Sequence, residues 1–210
     1  LGSDTLMIRP GQRMGPGQSI GAPSFKEADA EAISQQIAGI RAVAPSRSNS
    51  TVVVANGKNW LTTVVGSTNS YFDVNNLTLK EGRFFEPAEV RAGSAVCVIG
   101  QTLQKELFDN QSVLGKLVRI KGFSCQVVGL LDAKGQSGFG QDKDDIVIIP
   151  LNTFQRRLSG NIRVPLITVA IEPQSDIERV KEGVRLLLRE RRSLSAGDAD
   201  NFNVLDTSEL

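Results

Sequence analysis

The sequence predicts an α+β protein in which a discontinuous outer domain, built from the two ends of the chain as two β-α-β units, holds an inserted small β-rich module. Three observations carry this expectation. A helical apolar stripe flanked by strand-length apolar runs occurs near each end; the middle consists of short apolar runs punctuated by glycine; and Asn56-Gly57 stands between two strand-like runs. The boundaries that follow are 1–75 and 165–210 for the outer domain and 76–164 for the insertion.

Taken in order, Thr5 to Arg9 reads as a short strand that ends in the breaker run from Pro10-Gly11 to Pro16-Gly17, expected to be irregular and mobile. A helix follows, opened by Ser24 and Glu27 in capping-box spacing, with Ile33, Ile37 and Ile40 as its inner stripe and Gly39 placed to stop it. Strands are expected at Ala42 to Ala44, Thr51 to Ala55 and Trp60 to Val65, the last two joined by the Asn56-Gly57 turn. Phe84-Phe85, after Gly82-Arg83, reads as an anchor at the join between the modules.

In the middle region the pattern predicts a strand at Ala95 to Ile99 and a helix from Gln101 to Phe108 with Leu103, Leu107 and Phe108 inward. Strands at Leu117 to Ile120, Gln126 to Leu131 and Ile146 to Ile149 come next, then a short helix from Asn152 to Leu158. Leu166 to Ile171 is a strand, Ser175 and Glu178 form a second capping box, and Ile177, Val180, Val184, Leu187 and Leu188 make a helical stripe before the final strand, Phe202 to Leu205. Gly183 interrupts that stripe at a cost of about 1 kcal/mol relative to alanine.

Composition removes whole classes of function. With 24 Lys+Arg against 23 Asp+Glu the net charge is +1, so the concentrated positive field that a nucleic-acid backbone requires is missing. The chain has no histidine, which removes Ser-His-Asp and Cys-His nucleophiles, histidine zinc sites and the usual proton shuttle near neutral pH. Glu89 and Glu106 have no partner acid at a suggestive position, so no catalytic residue is assigned. The longest apolar runs are strand-sized, far short of the roughly 18 residues of a membrane-spanning helix, and the chain reads as water-soluble. Starting at Leu1-Gly2-Ser3-Asp4 without a signal sequence, it reads as a domain cut from something longer.

Cys97 in AVCVIG and Cys125 in FSCQVVG both sit in strand-like apolar surroundings. They read either as small core residues or, in an oxidising compartment and on adjacent strands, as a disulfide pair; their spacing fits no CxxC redox or zinc motif. The loop Gly135 to Gly140 lacks the spacing of a phosphate-binding loop, and no Gly-Lys-Ser/Thr follows. It is expected to be a flexible connection or a tip whose Phe139 and Gln136 touch a partner. Asp142, Asp144 and Asp145 lack the glycine and glutamate of a calcium loop and read as a solvated acidic turn. Arg156-Arg157 and Arg189 to Arg192 read as solvated helix faces or ends complementing a helix dipole. No metal or cofactor site is expected.

The runs KEGRFFEPAEVRAGSAVCVIG and LVRIKGFSCQVVGLLDAKGQSGFGQDKDDIVIIPL resemble the periplasmic core domain of MacB-type ABC transporter permeases. The resemblance extends from TLMIRPG to NFNVLD, essentially the whole chain. It implies a porter-like outer subdomain with an inserted subdomain called Sabre, on the periplasmic face of the inner membrane of a Gram-negative bacterium. It further implies that ATP and Mg are used by a separate nucleotide-binding domain of the full-length transporter. That transporter would be a dimer that docks a periplasmic adaptor and an outer-membrane channel to extrude macrolides or peptides. Related permeases for lipoprotein release or cell-division signalling share the architecture and form the alternative, with a soluble ligand-binding domain as a third reading.

Overall fold

The structure is a computed structural model that describes residues 4–11, 22–135 and 141–209 of the 210-residue chain. Its elements run β1 (Thr5–Pro10), α1 (Glu27–Gln36), β2 (Ile40–Ala55), β3 (Lys58–Ser67), α2 (Ser70–Val74), β4 (Leu79–Gly82), α3 (Pro87–Ala92), β5 (Val96–Ile99) and α4 (Gln101–Phe108). There follow β6 (Leu117–Ile120), β7 (Phe123–Leu131), β8 (Ile146–Pro150), α5 (Leu151–Phe154) with a π-helical turn over Gln155–Ser159, β9 (Leu166–Ile171), α6 (Ile177–Arg191) and β10 (Phe202–Asp206). The breaker run beyond Gly11 lies outside the described residues.

The chain divides into two compact units, one of Leu1–Ser46, Asp73–Asn75 and Arg163–Leu210, the other of Arg47–Phe72 and Asn76–Ile162. In the first, β1 lies antiparallel between β10 and β9, and β9 pairs on its other side with the first half of β2. Leu6 and Ile8 on β1 and Ile167 and Val169 on β9 are fully buried, as are Ile33 of α1 and Val180, Val184 and Leu188 of α6. The α6 stripe is therefore a core stripe, apart from half-buried Ile177. Both helix starts differ from the expected capping boxes. At α1 the Lys26 N–H donates to the Asp29 carboxylate at 2.9 Å, and at α6 Asp176 accepts from the Arg179 N–H at 3.3 Å. In each case a carboxylate takes over the orphan N–H groups and suits the positive helix end. Helix α1 stops at Gln36, so Ile37 and Ile40 do not extend its stripe: Ile37 is the extended cap and Gly39, at φ +87°, turns the chain into β2.

In the second unit the strand pairings return on themselves. The second half of β2 pairs antiparallel with β3, β3 parallel with β8, β8 antiparallel with β5, β5 parallel with β7, β7 antiparallel with β6, and β6 with β2 through Val53↔Ile120 and Val54↔Arg119. The result is a closed six-stranded ring, with β4 on the remaining part of β7. Alternate residues fill it: Val53 and Ala55, Val64, Val147 and Ile149, Cys97 and Ile99, Val118 and Ile120, Phe123, Cys125 and Val127, joined by Leu103, Leu107 and Phe108 of α4. Each of the larger side chains contributes roughly 1.5–3 kcal/mol by leaving water.

A second cluster covers the outer face of β3, β5 and β8 and the end of β7, made of Val65, Val96, Val98, Ile148 and Leu131 with Phe72 and Phe85. This double burial is why VCVI and IVII are continuous apolar runs, where one-sided strands would alternate. Phe84 stacks on Phe72 at 4.2 Å and Phe85 lies 5.8 Å from the same ring, so the aromatic pair anchors the core of this unit. Asn69 fixes the backbone there, donating to the Phe85 carbonyl at 2.7 Å and accepting from its N–H at 3.2 Å.

Where the sequence pattern gives two short strands, β2 is one strand of 16 residues. Polar Ser46 to Ser50 break the apolar pattern, yet the ladder holds them because β9 supplies partners up to Ser46 and β3 supplies them from Arg47 on. Residues 47–72, read from the sequence with the outer arm, accordingly fall in the second unit.

Candidate functional site

The sequence-predicted contacts Gln136 and Phe139 lie outside the described residues, but both feet of their loop are described. On the incoming side, the N–H groups of Lys134 and Gly135 donate to the two carboxylate oxygens of Asp144, at 2.6 and 3.0 Å. On the outgoing side, Asp142 accepts from the Thr102 hydroxyl at 2.6 Å and from the Asp144 N–H at 2.9 Å. Asp145 accepts at one oxygen from Trp60 Nε1 at 2.9 Å and from the Thr62 hydroxyl at 2.6 Å. The acidic turn is there as read, with Asp142 exposed and Asp144 and Asp145 half-buried, and its carboxylates also act as ties: Asp142 to α4, Asp145 to β3, and Asp144 between the two feet of the loop. Thr102, 40 positions away, and Trp60 and Thr62, 85 and 83 positions away, bring hydroxyl and indole donors to carboxylates that sequence shows without partners, while the amide donors to Asp144 come from 10 and 9 positions away.

Gly100 makes this approach possible. A Cβ at that position would overlap the Asp144 carbonyl, and Thr102 N–H donates to the same carbonyl at 3.2 Å.

Beside the loop feet, the outer face of the β2–β3 hairpin is apolar. Val52 and Leu61 stand directly opposite each other and are 52% and 62% exposed; Val54 is on the same face, and Leu117 of β6 is 60% exposed. Inward-facing Val53 and Ala55 leave these side chains to solvent. A shallow cavity of about 250 Å³ nearby is lined by Asn56, Phe108, Gln111, Ser112, Lys116 and Leu117. Its one charged lining group is Lys116, and the lining holds no acid. Among the described residues no group of His, Cys, Asp or Glu could hold a metal ion, and no helix is long and apolar enough to cross a membrane.

The arginine clusters stand at helix ends as read, with Arg189 and Arg191 in the last turn of α6 and Arg156, Arg157 and Arg191 exposed, and several of them also make specific ties. Arg189 donates to Asp200 at 2.6 Å and to the carbonyls of Ser195 and Asp198; Arg191 pairs with Asp29 at 2.7 Å. Arg192 lies over the rings of Phe25 and Phe202 at 4.9 and 5.9 Å while donating to the Pro23 carbonyl. In the second unit Arg156 donates to the Ala92 carbonyl at 2.8 Å. Cys97 and Cys125 are fully buried in the ring, on adjacent strands, with their sulfur atoms 2.8 Å apart.

A family model described as MacB-like periplasmic core domain matches residues 1–187. The chain belongs to that family. It is 35% identical over 214 residues to a macrolide export ATP-binding/permease protein MacB of Rhodospirillum rubrum, a match that takes in 100% of this chain and 32% of that protein. Among solved structures it is similar to the periplasmic region of MacB from Actinobacillus actinomycetemcomitans, with a TM-score of 0.81 at 25% identity over 98% of this chain and 89% of that one. The extracellular domain of the ABC-type transporter YknZ from Gram-positive bacteria has the same fold, with a TM-score of 0.76 at 21% identity, 96% of this chain and 99% of that one being covered. This MacB-like periplasmic domain of an ABC permease spans about a third of the length of the curated relatives it matches, 32% and 33% of the first two.

Proposed function

We propose that this domain transmits motion and docks a partner: it couples ATP hydrolysis, carried out with Mg by a nucleotide-binding domain outside this chain, to expulsion of substrate from the periplasm through a tripartite pump. In this reading the full-length protein is a dimer at the periplasmic face of the inner membrane of a Gram-negative bacterium, and it meets a periplasmic adaptor and an outer-membrane channel. The outer subdomain is porter-like and the ring-containing unit is the Sabre-like one. The observation that carries the reading is the family match over residues 1–187, together with relatives of macrolide-export name aligned over the whole chain. The exclusions of the sequence point the same way, since a chain without histidine and near charge balance fits neither the common hydrolase templates nor a nucleic-acid partner.

Within this reading Gln136 and Phe139 contact the partner, presented by a loop whose feet Asp142, Asp144 and Asp145 hold in place. A contact segment with pre-ordered feet loses less conformational entropy on docking than one with free ends does. The fold shared with YknZ keeps a second reading in view, the extracytoplasmic domain of a related lipoprotein-release or cell-division permease.

Binding of the 210-residue chain to a purified periplasmic adaptor and, in parallel, to an acylated lipoprotein separates the two. Adaptor binding that weakens at least tenfold on Phe139→Ala supports the efflux reading and its contact. Binding to the acylated protein alone replaces efflux by lipoprotein release, and binding of neither removes docking from the function.

A further inference from the structure

Two thiols face each other inside the six-stranded ring. Cys97 is on β5 and Cys125 on β7, neighbours in a parallel pairing whose register sets Cys97 opposite Val127, so that Cys125, two residues earlier, faces the same interior. Both are 0% exposed and free of any disulfide, and the Cys125 thiol donates to the Cys97 sulfur at 2.8 Å. Optimal separation for non-bonded carbon atoms is about 3.5–4.0 Å, and sulfur is larger. The pair therefore sits inside ordinary contact distance and within a small displacement of the roughly 2.05 Å of a disulfide bond.

We propose that Cys97 and Cys125 form a structural disulfide that is installed before the ring closes and shielded once it has closed. It would join β5 to β7 across α4 and β6, cross-linking positions 28 residues apart in sequence. The oxidant is a protein or small-molecule disulfide. One cysteine thiolate attacks it, forming a mixed disulfide and expelling one thiolate; the second cysteine thiolate then attacks the cysteine sulfur, forming the Cys97–Cys125 bond and expelling the other thiolate. Two cysteine protons leave to water or to the released thiolates, the cysteines lose two electrons, and the external disulfide is reduced to two thiols.

Burial decides the order of events. Neither sulfur is reachable in the folded ring, and desolvation, followed by the hydrogen bond with Cys125, pushes the Cys97 thiol well above its usual value, so the attacking thiolate is scarce there. The same burial keeps a reductant from the finished bond. The geometry stands without any assumption about compartment; only the supply of oxidant in the cell rests on the periplasmic reading.

The test refolds the reduced chain in a glutathione–glutathione disulfide buffer and, separately, exports it to a bacterial periplasm, reading intact mass and alkylation by iodoacetamide in denaturant. The expected product is about 2 Da lighter than the reduced chain and takes up label only after denaturation with reductant. Its Tm is expected to exceed that of the same chain refolded in reductant by about 5–10 °C, the chain-entropy effect of a loop of this size less some strain. Two labelled thiols after refolding in the redox buffer overturn the proposal. So does a bridge that reductant opens in the native protein as fast as in denaturant. A bridge in the refolded but not in the exported chain leaves the staple standing and counts against the periplasmic reading.

Discussion

Replacing Asp145 by alanine tests whether the acidic turn is held or merely solvated. One carboxylate oxygen of Asp145 accepts both the Trp60 indole N–H at 2.9 Å and the Thr62 hydroxyl at 2.6 Å, and Thr62 is only 4% exposed. Hydrogen bonds to a charged acceptor contribute roughly 1.5–3 kcal/mol each, and a buried donor left unpaired costs about 1–3 kcal/mol. Asp145 and Trp60 are partly open to water, which replaces part of the loss, so the expected cost is about 2–4 kcal/mol, a fall in Tm of about 5–12 °C. Asp145→Asn keeps one acceptor oxygen and is expected to cost about 1 kcal/mol. Trp60 is the sole tryptophan of the chain, so denaturant unfolding followed by its fluorescence reports the site directly. A cycle with Thr62→Val should return a coupling of at least about 1 kcal/mol. An alanine variant within about 0.5 kcal/mol of the parent, with unchanged Trp60 emission, would show that water satisfies the carboxylate and refute the tie.

Gly183→Ala is expected to stabilise the protein by about 0.5–1 kcal/mol, because alanine is the better helix former and limits the unfolded chain. The added methyl would meet Ile37 at 3.5 Å, ordinary contact, so thermal unfolding should shift upward, and a lower Tm would reveal a clash. Tyr71 is the single tyrosine, and burial pushes its phenol from 10.0 up to about 12. A raised folded value means stability that is intact below pH 10.0 and lost as pH rises towards about 12, since the unfolded chain ionises first. Phenolate absorbance should therefore titrate near 12 in the folded chain, and a midpoint near 10.0 contradicts the burial.

Elements whose partners are local were legible. The α4 stripe Leu103, Leu107 and Phe108 is buried as its spacing implies, and Asn56-Gly57 closes the β2–β3 hairpin with Ala55 opposite Lys58. Elements held by distant partners were not. Helix α2, strand β4 and helix α3 carry too few apolar residues for a periodic signal and depend on packing such as Phe72 on Phe84. The candidate contacts Gln136 and Phe139 rested on composition alone, and the ties that hold their loop were invisible because Asp142, Asp144 and Asp145 look like any solvated acidic run.

The linear order of residues settled where most helices and strands begin and end, since hydrophobic period, glycine and turn chemistry act over a few positions. It also settled which chemistries were closed to the chain through the lack of histidine. Tertiary structure alone decided that β6 returns to β2 to complete the ring, that β3, β5 and β8 are covered on both faces, and that two cysteines 28 positions apart meet inside it. Such pairings depend on which strand edges find each other and on the loop entropy of bringing them together, neither of which any short window of sequence contains.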